Sequence, residues 1–232
     1  MERHVLVVFP HPDDETLATG GAIALHARAG TPVTYACFTL GEMGRSMGKP
    51  FFANRETLPA IREQELREAC AILGIGDLRL LGFRDKTLEF EDPERLADAV
   101  YGLLTEVRPS LVITYYPGYC VHPDHEALAR ATVRAIARLP LGGRPVLQCQ
   151  AFSQGHADAL GERDVVLDAG SVWETVLRAM KAHRTQTAVW VERMERDLRG
   201  APEDRERVIR QLSRQGLYTY PLGDAEAAIR AE

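Results

Sequence analysis

The sequence has few cysteines, and no two of them stand close enough to form a CxxC motif. Its 232 residues contain four cysteines, at positions 37, 70, 120 and 149. This wide spacing does not fit a disulfide framework or a cysteine-type zinc site. We interpret the four residues as free thiols in a reducing compartment and therefore expect a cytoplasmic protein.

Long apolar runs and an excess of positive charge are also missing. No apolar run approaches the roughly 20 residues that a membrane-spanning helix needs. The first one, residues 5–9, meets Pro10 and then charged residues where a signal peptide would have a cleavage site. The formal net charge of −5 does not favour a surface that binds phosphates regardless of sequence. We expect neither a membrane nor a nucleic acid as a partner, while a homo-oligomer stays open.

Apolar strand-like runs alternate with helical patterns as far as residue 152. The sequence predicts strands over residues 4–9, 32–40, 78–83, 110–116 and 145–152, and helices over 16–29, 60–73, 93–107 and 124–139. This alternation predicts an α/β fold, a Rossmann-like, doubly wound, mostly parallel sheet of five or more strands with helices on both faces. In the strand order 3-2-1-4-5, strands 1 and 4 are neighbours, and a ligand-binding crevice opens at their carboxyl ends.

The alternating pattern weakens after residue 152. We predict a short strand over residues 164–168 and one helix over residues 172–191. We interpret the Arg- and Glu-rich segment 194–215 as a solvated helical face and not as a binding patch. Because no repeat, low-complexity tract or linker divides the sequence, we predict a single domain over residues 1–232.

Two clusters of histidine and carboxylate residues follow strands 1 and 4. HPDDE occupies residues 11–15, directly after strand 1, and HPDH occupies residues 122–125, a few residues after strand 4. In the predicted sheet these two strands are neighbours, so the clusters meet at the crevice. Burying so many charged groups is costly unless something there pairs with them.

The residue types of the two clusters suit zinc or a similar divalent ion. Catalytic zinc commonly has three histidine or carboxylate ligands and keeps a fourth position for water. His11 and Asp14 are three residues apart, so both could reach one ion, and His125 would complete the set.

Three further residues of the clusters would then lie beside the ion. Asp13 suits a general base, and His122 suits a group that stabilises an oxyanion or donates a proton to the leaving group. Asp124 suits a carboxylate that orients this histidine.

Other interpretations of these residues are weaker. Asp13 or Asp14 alone could simply cap a helix, because aspartate is favoured there. A nucleotide-binding module, another use of this fold, would have a GxGxxG turn after strand 1, and the carboxylates of HPDDE would instead repel a pyrophosphate. A non-catalytic metal-binding or scaffold protein stays open.

The two motifs together resemble the LmbE/PIG-L family of metal-dependent N-acetylglucosamine deacetylases. The segments FTLGEMGRSMGKP, IREQELREACAILGI, GFRDKTLEF and YPGYCVHPDH look like those of the bacillithiol-biosynthesis deacetylases, in particular the second type. The resemblance is good over residues 5–137 and looser in the C-terminal third. It implies a zinc-dependent enzyme that removes acetate from N-acetylglucosaminyl-malate; alternatives are another N-acetyl sugar or a thiol-conjugate amide.

The resemblance also implies the role of each motif residue by position. It implies zinc, or another divalent metal such as iron, bound by His11, Asp14 and His125, with Asp13 as the base and His122, beside Asp124, at the tetrahedral intermediate.

A malate conjugate would also need cations, because arginine pairs with carboxylates through two parallel hydrogen bonds. The candidate substrate-binding residues lie after strands 2 and 3: Arg45, Arg55, Arg62 and Arg84 for the carboxylates, Asp85 for sugar hydroxyls and Glu42 for the loop or the sugar. Each arginine could equally be a solvated surface charge. The long Gly- and Pro-rich segment 41–59 is expected to cover the crevice as a lid.

Overall fold

The computed structural model describes residues 1–224, and in this part of the chain seven strands form one sheet. The strands are β1 Val5–Phe9, β2 Val33–Cys37, β3 Asp77–Leu80, β4 Leu111–Tyr115, β5 Val146–Gln150, β6 Val165–Asp168 and β7 Arg214–Thr219. The helices are α1 Asp14–Arg28, α2 Leu58–Leu73, α3 Pro93–Val107, α4 Pro123–Ala137, α5 His156–Leu160, α6 Trp173–Ala182, α7 Arg184–Arg199 and α8 Pro202–Ser213. None of the described helices is long and apolar enough to cross a membrane.

The sheet confirms the predicted doubly wound topology. Its strand order is β3-β2-β1-β4-β5-β7-β6. The first five strands in this order run parallel, with β1 between β2 and β4. Since the chain winds outward in opposite directions from β1 and β4, their carboxyl ends border the crevice. Strand β7 is antiparallel to both β5 and β6, so the complete sheet is mixed.

The central strand β1 shows why helices lie on both faces of the sheet. All five of its residues are fully buried. Val5, Val7 and Phe9 belong to the apolar cluster that includes residues of α1 and α2. Leu6 and Val8 belong to the second cluster, which includes residues of α3 and α4. A strand that is apolar on both sides is typical of a parallel sheet covered by helices on each face.

The C-terminal third differs from the prediction in two places. The single helix predicted over residues 172–191 is wrong, because the chain breaks at His183 into α6 and α7. The helical face predicted over 194–215 is only partly right, since that segment holds the end of α7, all of α8 and the start of the unpredicted strand β7. The strand predicted over 164–168 is present as β6.

A glycine brings this C-terminal part against the first helix. A Cβ atom at Gly21 of α1 would lie 2.9 Å from the Cβ of Ala169, closer than real Cβ contacts come. Gln215 of β7 also donates a hydrogen bond to the carbonyl of Ala18 in α1, at 2.8 Å. The C-terminal elements therefore sit directly on the helix that begins with the HPDDE motif.

Candidate active site

The two histidine and carboxylate motifs meet at the carboxyl ends of β1 and β4, as predicted. The turn after β1 carries His11, while HPDH lies at the start of α4. The ring centroid of His11 is 4.9 Å from that of His122 and 5.1 Å from that of His125. Neighbouring parallel strands thus bring together residues that are far apart in the sequence.

The three predicted metal ligands lie at distances that fit one ion. Nδ1 of His11 is 3.2 Å from Nε2 of His125 and 3.3 Å from Oδ2 of Asp14. Nε2 of His125 is 3.5 Å from Oδ1 of Asp14. Ligand atoms bound tetrahedrally at about 2.0–2.1 Å from zinc are about 3.3–3.4 Å apart. The separations are close to this spacing, with the two histidines facing different oxygens of Asp14, and the binding of one ion by these three side chains stays a prediction.

The opposite side of the His11 ring faces two carboxylates. Nε2 of His11 is 3.2 Å from Oδ1 of Asp85 and 3.3 Å from Oδ2 of Asp124. Burial alone would lower the pKa of His11, but hydrogen bonds to Asp124, Asp14 and Asp85 raise it well above 6.5. A metal-binding histidine commonly donates its other ring N–H to a carboxylate, which fixes the tautomer. This arrangement is compatible with a metal at Nδ1 of His11 and the carboxylates at Nε2. Two other groups of described residues also lie close enough to hold an ion: His11 with His122 and His125, and His11 with Asp85 and Asp124.

Tyr115 contacts the other two predicted ligands, Asp14 and His125. Its hydroxyl donates to Oδ1 of Asp14 at 2.7 Å, and its ring stacks on His125 with centroids 4.1 Å apart. Burial would raise the pKa of Asp14, yet His125 and His11 hold it well below its usual range. Burial lowers the pKa of His125 to about 4, with a further contribution from His11. At neutral pH Asp14 is ionised and His125 is neutral, and these are the forms that bind metals.

The neighbouring aspartate has a different environment. The backbone of Asp13 has φ 94° and ψ −28°, a conformation that costs a non-glycine residue about 1–3 kcal/mol. Its side chain does not cap α1 and instead accepts a hydrogen bond from Nη2 of Arg62 at 3.1 Å. Burial raises the pKa of Asp13 to about 6, with Arg62 opposing and Asp14 adding to the shift. A carboxylate with this acidity suits proton transfer near neutral pH.

The structure corrects the expectation that Asp124 orients His122. The carboxylate of Asp124 faces His11 and accepts the backbone N–H groups of Lys86 at 2.7 Å and Leu88 at 3.1 Å. Nδ1 of His122 accepts the backbone N–H of Asp124 at 3.1 Å, so the start of α4 orients this ring. Burial, then the charge of His11, lowers the pKa of His122. The neutral ring thus carries its proton on Nε2.

A cleft of about 340 Å³ opens above these residues. Three of the six predicted substrate-binding residues line it: Arg45, Arg62 and Asp85. The lining residues that the sequence reasoning missed include three with polar or aromatic side chains, Lys86, Gln186 and Trp190. Glu42, Arg55 and Arg84 are not among the lining residues, so the structure does not bring them to the cleft.

Two of the predicted substrate-binding residues already have internal partners. The guanidinium of Arg62 is buried and donates to the carbonyls of Gly41 and Pro12 as well as to Asp13. Oδ2 of Asp85 accepts the backbone N–H of Met43 at 2.8 Å. These contacts hold the loop after β2 and the HPDDE turn together. Substrate binding by Arg62 and Asp85 stays a prediction.

The residues that do not line the cleft have other surroundings. Oε1 of Glu42 accepts the backbone N–H of Asp85 at 3.1 Å. Arg55 donates to the carbonyls of Glu42 at 3.2 Å and Gly44 at 2.7 Å. Glu42 and Arg55 thus shape the loop, and the side chain of Arg84 is exposed.

The loop between β2 and α2 is fastened to α7 at three points. The N–H of Gly48 donates to the carbonyl of Thr185 at 3.2 Å, and the amide of Gln186 donates to the carbonyl of Ser46 at 3.0 Å. Lys49 forms an ion pair with Glu192. The loop forms one wall of the cleft, and its expected opening as a lid stays a prediction.

Sequence reasoning also missed a buried histidine next to the motif. The side chains of His183 and Glu15 are both fully buried, with Nε2 of His183 2.7 Å from Oε1 of Glu15. Burial would lower the pKa of His183, but the charge of Glu15 raises it above 6.5. No spacing or motif around His183 points to this contact. The one available signal was Glu15, a third acidic residue in HPDDE that had received no role.

A larger cavity, of about 810 Å³, lies elsewhere, between α5, β7 and α8. Four arginines contribute to its lining: Arg163, Arg207, Arg210 and Arg214. Among the described residues, the clusters able to hold a metal all contain His11 and so belong to the crevice. We therefore place the chemistry at the smaller cleft.

Known proteins match this chain over most of its length. The family model described as PIG-L, GlcNAc-PI de-N-acetylase, matches residues 6–136. A Bacillus cereus protein named probable N-acetyl-alpha-D-glucosaminyl L-malate deacetylase 2 is 56% identical over 192 residues, covering 83% of this chain and 87% of that protein. A Bacillus subtilis protein of the same name is 50% identical over 225 residues, covering 97% of this chain and 100% of that protein.

Solved structures share the fold at lower sequence identity. An N,N'-diacetylchitobiose deacetylase from Pyrococcus horikoshii matches with a TM-score of 0.68 at 21% identity, covering 96% of this chain and 85% of the other. A 4-carboxy-2-hydroxymuconate hydratase from Pseudomonas putida matches with a TM-score of 0.71 at 22% identity. The match covers 94% of this chain and 97% of the hydratase. One fold thus serves two reactions, so the reaction must be argued from the site.

Proposed function

This chain belongs to the PIG-L family of de-N-acetylases, and from this membership we propose that it hydrolyses the N-acetyl group of N-acetylglucosaminyl-malate in bacillithiol biosynthesis. The observation that carries the proposal is the close set of His11, Asp14 and His125 beside Asp13, at a cleft large enough for a sugar. The names of relatives at 50% and 56% identity supply the malate conjugate as the substrate.

We propose zinc as the metal, with iron as the alternative. A divalent ion supplies a positive charge that polarises the amide carbonyl and makes the attacking water more acidic. The neutral His125, the ionised Asp14 and Nδ1 of His11 offer the nitrogen and oxygen donors that such ions accept.

Asp13 then acts as the general base. Arg62 is bonded to its Oδ2 atom, while Oδ1 has no hydrogen bond within residues 1–224 and is free to accept the proton of water. The water oxygen bonds to the acetyl carbon, the carbon–nitrogen bond breaks, and the products are acetate and the amine of the sugar. Asp13 can return the proton to this amine as it leaves.

His122 stabilises the charge that develops on the acetyl oxygen. Its Nδ1 atom is occupied by the backbone of α4, so Nε2–H is the donor that remains. Its ring centroid lies 4.9 Å from that of His11 and 5.2 Å from that of His125, the two histidines that would hold the ion. A donor fixed in this way before the reaction needs no reorganisation when the charge appears.

The cations at the cleft suit a dicarboxylate substrate. Arg45 and Lys86 line the cleft with exposed side chains, and neither forms an ion pair with another described residue. Both are therefore available for the carboxylates of malate.

The direct test is a product assay with purified protein and added zinc. We expect glucosaminyl-malate and acetate to form, and we expect Asp13→Ala to lower kcat by about 10²–10⁴-fold. Asp158→Ala, at an exposed aspartate of α5, is the matched control and should keep full activity. Retained activity in Asp13→Ala would refute the base assignment. Turnover of other N-acetyl sugars or thiol-conjugate amides in place of the malate conjugate would refute the substrate.

A further inference from the structure

The C-terminal third reaches the catalytic base through one buried histidine that the proposed reaction does not use. We propose that His183 is a positioning residue, which acts through Glu15 to hold Asp13 in place for proton transfer. The inference rests on the proposed function in so far as Asp13 is the base. His183 is not among the residues that line the cleft, so its effect passes through its neighbours.

The first step is the unusual backbone of Asp13. Its positive φ of 94° lies where a non-glycine residue stays only if its surroundings hold it. The N–H of Asp13 donates to Oε2 of Glu15 at 3.0 Å, and its carbonyl accepts the N–H of Leu17 at 2.8 Å. Glu15 is thus the side chain that holds the backbone N–H of Asp13, the proposed base.

The second step is the environment of Glu15. Its carboxylate is fully buried, and a buried charge is costly unless donors surround it. Its other oxygen, Oε1, accepts the Thr16 hydroxyl at 2.6 Å and Nε2 of His183 at 2.7 Å. Among the described residues, His183 alone forms an ion pair with Glu15. Without His183 the carboxylate would lose this hydrogen-bond partner and its fixed orientation toward Asp13.

The third step is the break between α6 and α7, which aims the ring at Glu15. The N–H of His183 donates to the carbonyl of Met180 at 3.2 Å, and its carbonyl accepts the N–H of Thr187 at 2.9 Å. Two residues on, the N–H and hydroxyl of Thr185 donate to the buried Glu65 at 2.9 and 2.6 Å. Since the break is bonded on both sides, the ring of His183 is a rigid support.

Two amide variants that differ by one methylene test this role. The amide of His183→Gln can reach Glu15 as Nε2 does, whereas the amide of His183→Asn falls short. We expect kcat of His183→Asn to fall at least tenfold, with KM and metal content within twofold of wild type. His183→Gln should recover most of kcat. Hydrogen exchange of the peptide over residues 11–17 should be faster in His183→Asn and near wild type in His183→Gln.

His4→Asn is the matched control, because it makes the same substitution at a histidine whose Nε2 lies 2.9 Å from the Thr34 hydroxyl, at the amino end of β1 and away from Glu15. It should lower the melting temperature and leave kcat and the exchange of residues 11–17 unchanged. Equal losses in His183→Asn and His183→Gln, or wild-type kcat and exchange in His183→Asn, would overturn the proposal. If His183→Asn does not fold, His183→Leu takes its place in the same comparison.

The exchange measurement separates this inference from the proposed function. If the wild-type protein fails to deacetylate the malate conjugate while exchange over residues 11–17 follows the expected order, the substrate is wrong and the positioning role stands. If the wild type is active and the variants match it in kcat and exchange, the positioning role is wrong and the function stands.

Discussion

Two adjacent aspartates in this site have pKa values that are shifted in opposite directions, because their neighbours differ. Asp14 lies between two histidines and accepts the Tyr115 hydroxyl, so its pKa is held low. Asp13 accepts a hydrogen bond from Arg62, and burial, with a contribution from Asp14, raises its pKa to about 6. At the scale of single residues, the surroundings thus shift the pKa values of two adjacent aspartates in opposite directions, which suits the proposed roles of Asp14 as a metal ligand and Asp13 as a base.

Tyr115→Phe tests how far the metal depends on its supporting residue. Burial, then the charge of Asp14, raises the pKa of Tyr115 well above 10, so its hydroxyl remains a donor to Asp14. Removing a partner of this kind typically weakens metal affinity by about 10–100-fold. We expect a loss of this size, measured by competition with a chromophoric chelator.

Tyr116→Phe is the control for this measurement. Tyr116 follows directly after β4, and its ring contacts Tyr119, Tyr218 and Tyr220. The Tyr116→Phe variant should bind the metal with the same affinity as the wild type. An equal affinity in Tyr115→Phe would show that the ligands are held without this hydroxyl.

At the scale of elements, the loop after β2 depends on a glycine. Gly41 has φ +61°, and a Cβ atom there would lie 1.9 Å from Nη1 of Arg62. Gly41→Ala should displace Arg62 from its bonds to the loop and to Asp13. We expect at least a tenfold loss of kcat and a loss of stability larger than the roughly 1–2 kcal/mol that a left-handed alanine costs by itself.

Gly82→Ala separates these two effects. Gly82 has φ +72° and no neighbouring atom within 4 Å of the added Cβ. In urea unfolding, the free energy of unfolding should fall only by the cost of placing alanine at a positive φ, and kcat should be unchanged. If the two variants lose the same stability and both keep full activity, the contact between Arg62 and the loop does not matter.

The sequence predicts the elements well where apolar periodicity sets them and poorly where tertiary contacts do. Strands β1, β2, β4 and β5 lie within their predicted ranges, because apolar residues make up most of each strand. The break at His183 was missed because the apolar spacing of Val176, Leu177 and Met180 gives no sign that the helix ends. The break depends on Glu15 and Glu65, which are distant in sequence.

Strand β7 and the partners of the site were missed for related reasons. Arg214–Thr219 follows an Arg- and Glu-rich helix without a turn signal, and its pairing with β5 and β6 is long-range. The meeting of the two motifs could be predicted because each follows a central strand of the sheet, and their role as metal ligands stays a prediction. The contact between Asp124 and His11 could not be predicted, since it depends on the side-chain rotamers of His11 and His122.

At the scale of the whole molecule, removing the metal should lower stability. Only the folded chain holds His11, Asp14 and His125 together, so a bound ion favours the native state. An ion at 1,000 times its dissociation constant adds about 4 kcal/mol, or about 8–16 °C in melting temperature for a chain of this size. We expect a chelator to produce a fall of this order, and zinc to reverse it.

Asp14→Asn provides the control for the chelator experiment. With one ligand neutralised, its melting temperature should respond little to chelator or zinc. A wild-type protein whose melting temperature is the same with and without chelator would show that no stabilising ion is bound at this site.

The position of the site along the chain sets an order for its assembly during translation. All three predicted metal ligands precede residue 126, whereas His183 forms the break before α7, and Gln186 and Trp190 lie in α7. The ribosome therefore releases the ion-binding residues well before the segment that supports Glu15 and closes the cleft. A nascent chain could bind its metal early, but the base would gain its support only after the break before α7 has been synthesised.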